Sequence, residues 1–399
     1  MAETSASSRA SRSAHDVSRR AFLKSTALAL PAIAATSAIL ASCAARDGEV
    51  VVYISVDDVL ARELLAACTS ATGVKILPVF DTEATKTTGL EQRIRAESNR
   101  PRADIFWSSE AFATARLAAD GFLQPLPTSV LERWPVEHRD PNGMWFAFAA
   151  RARVVAYRSD REVVVPKTWA AFANPDLRTP EAVGNTSVPG IAIADPRFGT
   201  TRGHVAALCA VWSVARSNAA SGAEQSASSS WESPTLEGWI DGLRANGARV
   251  LSGGNAATVD AVASGEVTFG FTDSDDVFAA QARGLPIAFA LPRTFAKGVA
   301  GGGTMLVPNT VGLVAGRPES AEVNAVLEWI ASAECERLIC RSPSRNLPIG
   351  PDSATVSAEC SAAFSEPDPL AFEVAALAKR TGDIADRARS LFEHGSEKA

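Results

Sequence analysis

An α/β fold is what this 399-residue chain predicts, on three observations. Short continuous apolar runs alternate with amphipathic helical stretches, the pattern of parallel strands covered by helices. The alternation restarts after residue 150, which points to two lobes. The length agrees, because a chain of this size usually divides into about two domains.

The elements follow in order. Val50-Val51-Val52-Tyr53-Ile54 is an apolar strand that runs through Ser55 into a helix with Leu60, Leu64, Leu65 and Cys68 on one face. Gly73 ends that helix, Val74 to Phe80 forms the next strand, Thr88 to Asn99 a helix and Ala103 to Trp107 a third strand. The second half reads as strands over 154–157, 190–194, 248–251 and 267–271, with helices over 204–215 and 256–264. Ser217 to Ser230 is low-complexity and is expected to be a flexible surface excursion without function. Past Pro308 come a strand over 311–314, a helix over 321–332 and an amphipathic segment, Leu370 to Phe392, which periodicity alone assigns to neither lobe.

Composition narrows the function. The formal charge of −6 leaves no basic surplus to neutralise phosphates, so a nucleic-acid partner is not expected. Neither Cys-x-x-Cys nor His-Glu-x-x-His spacing occurs, which argues against a conventional zinc enzyme. Walker loop, dinucleotide glycines and a supported Ser/His/Asp or Cys/His set are absent too, so binding is expected rather than catalysis, with an exported enzyme as the remote alternative.

The first 42 residues read as an address. Ser18-Arg19-Arg20-Ala21-Phe22-Leu23-Lys24 resembles a bacterial twin-arginine export signal, and the apolar run from Ala27 to Leu40 is too short to span a bilayer. Leu40-Ala41-Ser42-Cys43 resembles a lipobox, which implies a mature chain starting at a lipid-bearing Cys43; an ordinary cleaved signal is the alternative. Of the five other cysteines, Cys335, Cys340 and Cys360 lie close in sequence, and one disulfide among them is left open.

In parallel sheets ligands bind where strands end and helix N-termini present unpaired N–H groups. Thr272-Asp273-Ser274-Asp275-Asp276 is such a corner, and it reads two ways. Ser274 can be the N-cap with Asp275 and Asp276 filling a first turn that favours anions. Alternatively Asp57, Glu110, Asp275 and Asp276 converge on one cleft, where crowded carboxylates need a hard cation or an organic cation between them. Ser55-Val56-Asp57-Asp58 also matches a capping box. Arg151 and Arg153 alternate with alanines, so a strand puts both on one face, either to hold a carboxylate or phosphate or to pair with those same aspartates. Gly199-Thr200-Thr201 is an anion seat or a Thr cap, and Asn255 a ligand or a cap. Trp107, Trp145 and Phe198 are expected in the core more than around a cleft, Lys86 in solvent, and His204 at the surface or as a cap.

These corners resemble those of the periplasmic solute-binding proteins of ABC importers, in the branch that includes ferric-iron binders. The residues that carry the likeness are Val51-Val52-Tyr53, Asp81 to Gly89, Ala103 to Trp107, Gly199-Thr200-Thr201, Gly254 to Ala257 and Val307 to Thr310. The resemblance implies a two-lobe type II periplasmic-binding fold, each lobe a mixed, mostly parallel sheet flanked by helices, joined by two crossover strands. Lobe I would be 43–150 with 304–399, lobe II 151–303, and the hinges Ala149 to Val155 and Thr304 to Val307. It also implies an iron site. Ferric members use two adjacent tyrosines after an Asn-x, a His and a Glu, plus an anion at a helix N-terminus. Here the tyrosines map onto Asp275 and Asp276, the Asn onto Asp273 and the His corner onto Ser55 to Asp58, while Tyr53 and Tyr157 fall inside strands.

The resulting expectation is a lipid-anchored, monomeric receptor with no cofactor, which passes ferric iron with an anion to an ABC permease and ATPase outside the cytoplasmic membrane. The iron would be held by Asp57, Glu110, Asp275 and Asp276, with Ser55, Glu83, Arg151, Arg153, Gly199, Thr200, Thr201, Asn255 and Asp273 as the other ligand-binding residues. A small phosphorylated or carboxylated solute on Arg151 and Arg153 is the alternative cargo.

Overall fold

The computed structural model describes residues 48–56, 58–81, 87–178, 190–220, 234–297, 302–360, 368–370 and 373–396. The export segment with Cys43, Asp57, Glu83, Lys86 and most of the Ser/Ala-rich stretch fall outside them. From Gly48 onward the chain forms one compact unit.

The first half lays down β1 (Glu49–Ile54), α1 (Asp58–Thr72), β2 (Lys75–Phe80), α2 (Thr88–Ala96), β3 (Ile105–Ser108), α3 (Ala111–Ala119), β4 (Leu123–Gln124), α4 (Thr128–Leu131) and β5 (Trp145–Arg158). The apolar run of β1 has its cause here. Val50, Val52 and Ile54 face one core cluster while Tyr53 and Val51 face another, so a strand sandwiched between helices shows no alternation. Gly73, at φ 71°, closes α1 in a backbone conformation that a side chain would resist.

The second half adds β6 (Ile191–Ala194), α5 (Gly199–Ala220), α6 (Leu236–Ala245), β7 (Ala248–Leu251), α7 (Gly254–Ala263), β8 (Phe269–Asp273), α8 (Ser274–Ala282), β9 (Ile287–Ala290), β10 (Leu306–Val314), α9 (Ala321–Ile330), α10 (Ala333–Arg341), α11 (Ser353–Cys360), α12 (Val374–Ala378) and α13 (Thr381–His394). No helix among the described residues is long and apolar enough to cross a membrane.

The strands join in the order β2-β1-β3-β10-β5-β8-β6-β7, with β4 on β10 and β9 on β5. Each end of this path is a parallel trio, β2-β1-β3 and β8-β6-β7, and the two long strands between them run antiparallel. β5 connects the two sheets. Its first part pairs with β10 through Ala152↔Leu306, and its second part pairs with β8 from Arg153↔Asp273 onward.

Two expectations need correction. A separate strand was expected from Val154, but that strand is the far end of a single 14-residue β5. Every residue from Trp145 to Arg153 is buried, so the Ala-rich stretch has no exposed face to mark it as strand. The C-terminal segment was expected to complete lobe I. It breaks into α12, which packs on α3 of the first half as expected, and α13, which packs instead on α5 and α6 of the second half, burying Ile384, Ala388 and Leu391 in the same cluster as Trp212, Trp239 and Leu243.

Candidate functional site

The carboxyl ends of β3, β6 and β8 and the N-termini of α5 and α7 surround a cavity of about 80 Å³. Ser109 lines it from the first half of the chain. Arg151 lines it from β5, and Asp195, Phe198, Thr200, Asn255, Asp273, Asp275 and Asp276 from the second half.

β5 supplies the floor. Alternation on this strand does put both guanidinium groups on one side, and both are buried: Arg151 is 5% exposed and Arg153 0%. Arg153 stands opposite Asp273 in the β5–β8 register, and its Nη1 donates to Asp273 Oδ1 at 3.0 Å, Asn255 Oδ1 at 3.1 Å and Thr200 Oγ1 at 3.3 Å. Its Nη2 donates to Thr201 Oγ1 at 3.0 Å and to the Phe271 carbonyl at 3.2 Å, and its Nε donates to His204 Nδ1 at 3.3 Å. With so many donors engaged, Arg153 organises the floor and is not turned toward a solute. Arg151 behaves differently. Its Nε bridges Asp273 Oδ2 at 3.2 Å and Asp275 Oδ2 at 3.3 Å on the cavity wall itself.

Burial tends to raise the carboxyl pKa of Asp273, but Arg153 and Arg151 outweigh it and hold the group below the ordinary carboxylate range. Asn255 completes the web by donating to Thr200 Oγ1 and Asp273 Oδ2, both at 3.0 Å. It is therefore not the cap of α7, whose N-cap is Gly253. The Gly199-Thr200-Thr201 corner begins α5, with Gly199 at φ 51°, and both threonine hydroxyls are taken up by Arg153.

The corner that follows β8 is set one residue earlier than the sequence suggested. Asp273, in extended conformation, is the N-cap, and Ser274 is the first helical residue. The Ser274 hydroxyl accepts the Ala152 N–H of β5 at 3.2 Å, a tertiary bond that draws it away from capping. Asp276 turns back, its Oδ2 accepting Thr272 Oγ1 at 3.0 Å and the Asp273 N–H at 3.4 Å. Asp273, Asp275 and Asp276 each place a carboxylate oxygen within 4.8 Å of the others, the acidic grouping around which a metal ion could fit. Asp273 is buried in the network, whereas Asp275 and Asp276 are partly exposed to the cavity.

The first-half residues are arranged otherwise. Ser55 is buried; its Oγ accepts the Ser109 N–H at 2.9 Å and meets Ser109 Oγ at 3.3 Å, and Thr87 Oγ1 lies 3.2 Å from Ser109 Oγ. Ser109 thus carries a three-hydroxyl cluster to the cavity wall, and Thr87 holds its place at φ 72°, a left-handed conformation that costs a non-glycine residue strain. Glu110 does not join the aspartates. It is the N-cap of α3, its two oxygens accepting from Phe112 N at 2.6 Å and Ala113 N at 2.9 Å, and it lines a separate crevice with Phe112, Gly203 and Pro308. Burial, against the pull of Arg116, raises its pKa.

His204 lies in the interior rather than at the surface or in a cap. It is 0% exposed, stacked edge-on against Trp169 at 4.1 Å, and burial with the Arg153 charge lowers its pKa well below the usual value. The imidazole is therefore neutral, which lets Nδ1 accept from Arg153 and leaves the proton on Nε2. Trp107 and Trp145 are in the core, and Phe198 frames the cavity. Ser109 and Asp195 were absent from the expected ligand set, although Asp195 directly follows the last residue of β6, where a strand-end rule would have found it.

Two sheets joined by a pair of long antiparallel strands, with a polar cavity at the strand ends, define a two-lobed type II periplasmic-binding fold. The chain belongs to the family of bacterial extracellular solute-binding proteins, whose family model matches residues 63–363. It is 28% identical over 206 residues to iron uptake protein A1 of Synechocystis, covering 51% of this chain and 48% of that protein. Iron uptake protein A2 of the same organism is 27% identical over 258 residues, covering 62% and 65%. The chain thus spans about half to two thirds of the length of these curated relatives. In solved structures the fold is that of the apo ferric ion-binding protein A of Pasteurella haemolytica, with a TM-score of 0.67 at 17% identity, over 88% of this chain and 100% of the other.

Proposed function

We propose that this chain is the receptor of an ATP-driven importer, and that it takes ferric iron or an iron–anion complex between its lobes for delivery to a membrane permease. One observation carries the reading: Asp275 and Asp276 open onto the cavity beside Asp273, with carboxylate oxygens of all three within 4.8 Å. Oxygen-only, carboxylate-rich sites suit hard cations. The iron-uptake names of the relatives support the same cargo.

Carboxylates supply the donors because the phenols do not. Tyr53 donates its hydroxyl to Glu97 at 2.7 Å, and burial, followed by that bond, pushes its pKa up to about 12. Arg151, 3.3 Å from Asp275, is positioned to meet the anion that accompanies the metal. Iron is cargo here and is released unchanged, so the cavity needs no general acid or base. Twin-arginine export and a lipid on Cys43 would keep the receptor at the outer face of the membrane, where a monomer suffices.

Arg151 on the cavity wall also supports a second cargo class, a small phosphorylated or carboxylated solute without metal. Native mass spectrometry with elemental analysis of the full chain, purified without chelator and then exposed to ferric citrate, separates the two. About one iron per chain supports the first reading. A metal-free organic anion retained in place of iron would overturn it in favour of the second.

A further inference from the structure

Five reduced thiols lie in the described residues, and two of them, Cys340 and Cys360, sit on the neighbouring helices α10 and α11. α10 and α11 pack against each other, with the Arg337–Glu359 ion pair on one side of the contact. Cys360 Sγ lies 3.8 Å from the Arg337 carbonyl oxygen, one helical turn before Cys340 on α10, so the α10–α11 contact brings the two cysteines close together. Cys340 is 5% exposed, whereas Cys360 is only partly buried and can be reached from outside. The chain between them carries Leu347, whose N–H and carbonyl both pair with Ala150 of β5, next to Arg151. Cys68 and Cys335 also sit near each other, but at 0% and 1% exposure no reagent reaches them in the folded chain.

We propose that Cys340 and Cys360 form a structural disulfide in the extracellular compartment to which the family belongs, closing a loop that grips the crossover strand. Such compartments maintain disulfides. The oxidant is a protein or small-molecule disulfide. The Cys360 thiolate attacks one donor sulfur, forming a mixed disulfide and expelling the other donor sulfur as thiolate. Cys340 then attacks the Cys360 sulfur, the protein disulfide forms, and the donor leaves with two electrons and two protons. The order follows from access, and from the Cys340 thiol, which burial and then the neighbouring Cys360 push up to about 12.

The test uses the full chain, purified reduced, equilibrated with oxidised glutathione, trapped with N-ethylmaleimide and digested without reductant. Mass spectrometry should find the Cys340 and Cys360 peptides joined, with Tm raised by roughly 5 °C. That rise should disappear with dithiothreitol and in Cys360→Ser, and persist in Cys209→Ser. Separate maleimide labels on Cys340 and Cys360, a lasting glutathione adduct, or a bond from either to another cysteine would each overturn the proposal. Cargo plays no part in this readout, so the proposed function stands or falls independently of it.

Discussion

Glu110 and the Asp275–Asp276 pair occupy the same kind of place, an acidic corner where a buried strand passes into a helix, yet the fold uses them differently. Glu110 is the N-cap itself, and its carboxylate bends over the first turn of α3 to accept two backbone N–H groups. Asp275 and Asp276 lie inside the first turn of α8, two and three positions past the Asp273 cap. What differs is the position of the cap. The Glu110 carboxylate at the cap is turned wholly onto its own helix, whereas Asp275 and Asp276, two and three residues past their cap, bond locally and still line the cavity.

Substitutions can break that comparison in graded ways. The largest effect belongs to neither corner but to the residue beneath one of them. Arg153→Met should remove the cation that holds Asp273 and leave a buried carboxylate short of a partner, costing about 3–5 kcal/mol of stability in urea unfolding. Glu110→Ala should cost about 1–2 kcal/mol by the same measurement, as loss of a cap does, while leaving iron retention at the wild-type level. Asp275→Asn together with Asp276→Asn should reverse this pattern, costing under about 1 kcal/mol of stability because an Asn oxygen still accepts the Asp273 and Asp276 N–H groups and Arg151 keeps Asp273 as its partner, with iron retention lost.

A pH titration sharpens the contrast further. The folded pKa of Asp273 lies below its unfolded value, so its contribution is complete above the ordinary carboxylate range and is lost as pH falls through the folded value. Glu110, whose folded pKa is raised, has the opposite sign: its contribution is present at acid pH and is lost as pH rises through the folded value. Asp273→Asn should therefore flatten the acid limb of the stability profile, and Glu110→Gln should steepen the net rise of stability with pH, both by a small margin in denaturant midpoints.

How far the sequence reaches is clear from these same residues. The paired arginines and the corner at Asp273 to Asp276 were legible because strand alternation and capping are local rules. Their partners were not. Arg153 binds Asp273, Thr200, Thr201, Asn255 and His204 across sequence separations of up to 120 residues, and no local pattern encodes such an assembly. Ser274 and Asp273 are both good caps by residue type, and the choice between them is decided by the Ala152 N–H from another strand. The long strand β5 was hidden for a different reason, since a strand buried along nearly its whole length in alanine and phenylalanine loses the two-residue period that would reveal it. His204 shows the same effect in a helix, its neighbours Val205, Ala206, Ala207 and Leu208 being as buried as the imidazole.

In the proposed function, first-turn carboxylates at the β8–α8 corner hold the cargo. Its most direct test is equilibrium dialysis of the full chain against ferric citrate, wild type beside Asp275→Asn with Asp276→Asn, with iron measured by plasma mass spectrometry and folding by urea unfolding. The expected result is about one iron per wild-type chain and at least a tenfold loss of affinity in the variant, with unfolding shifted by less than about 1 kcal/mol. A variant that keeps wild-type affinity, or a wild type that takes up no iron, would contradict it.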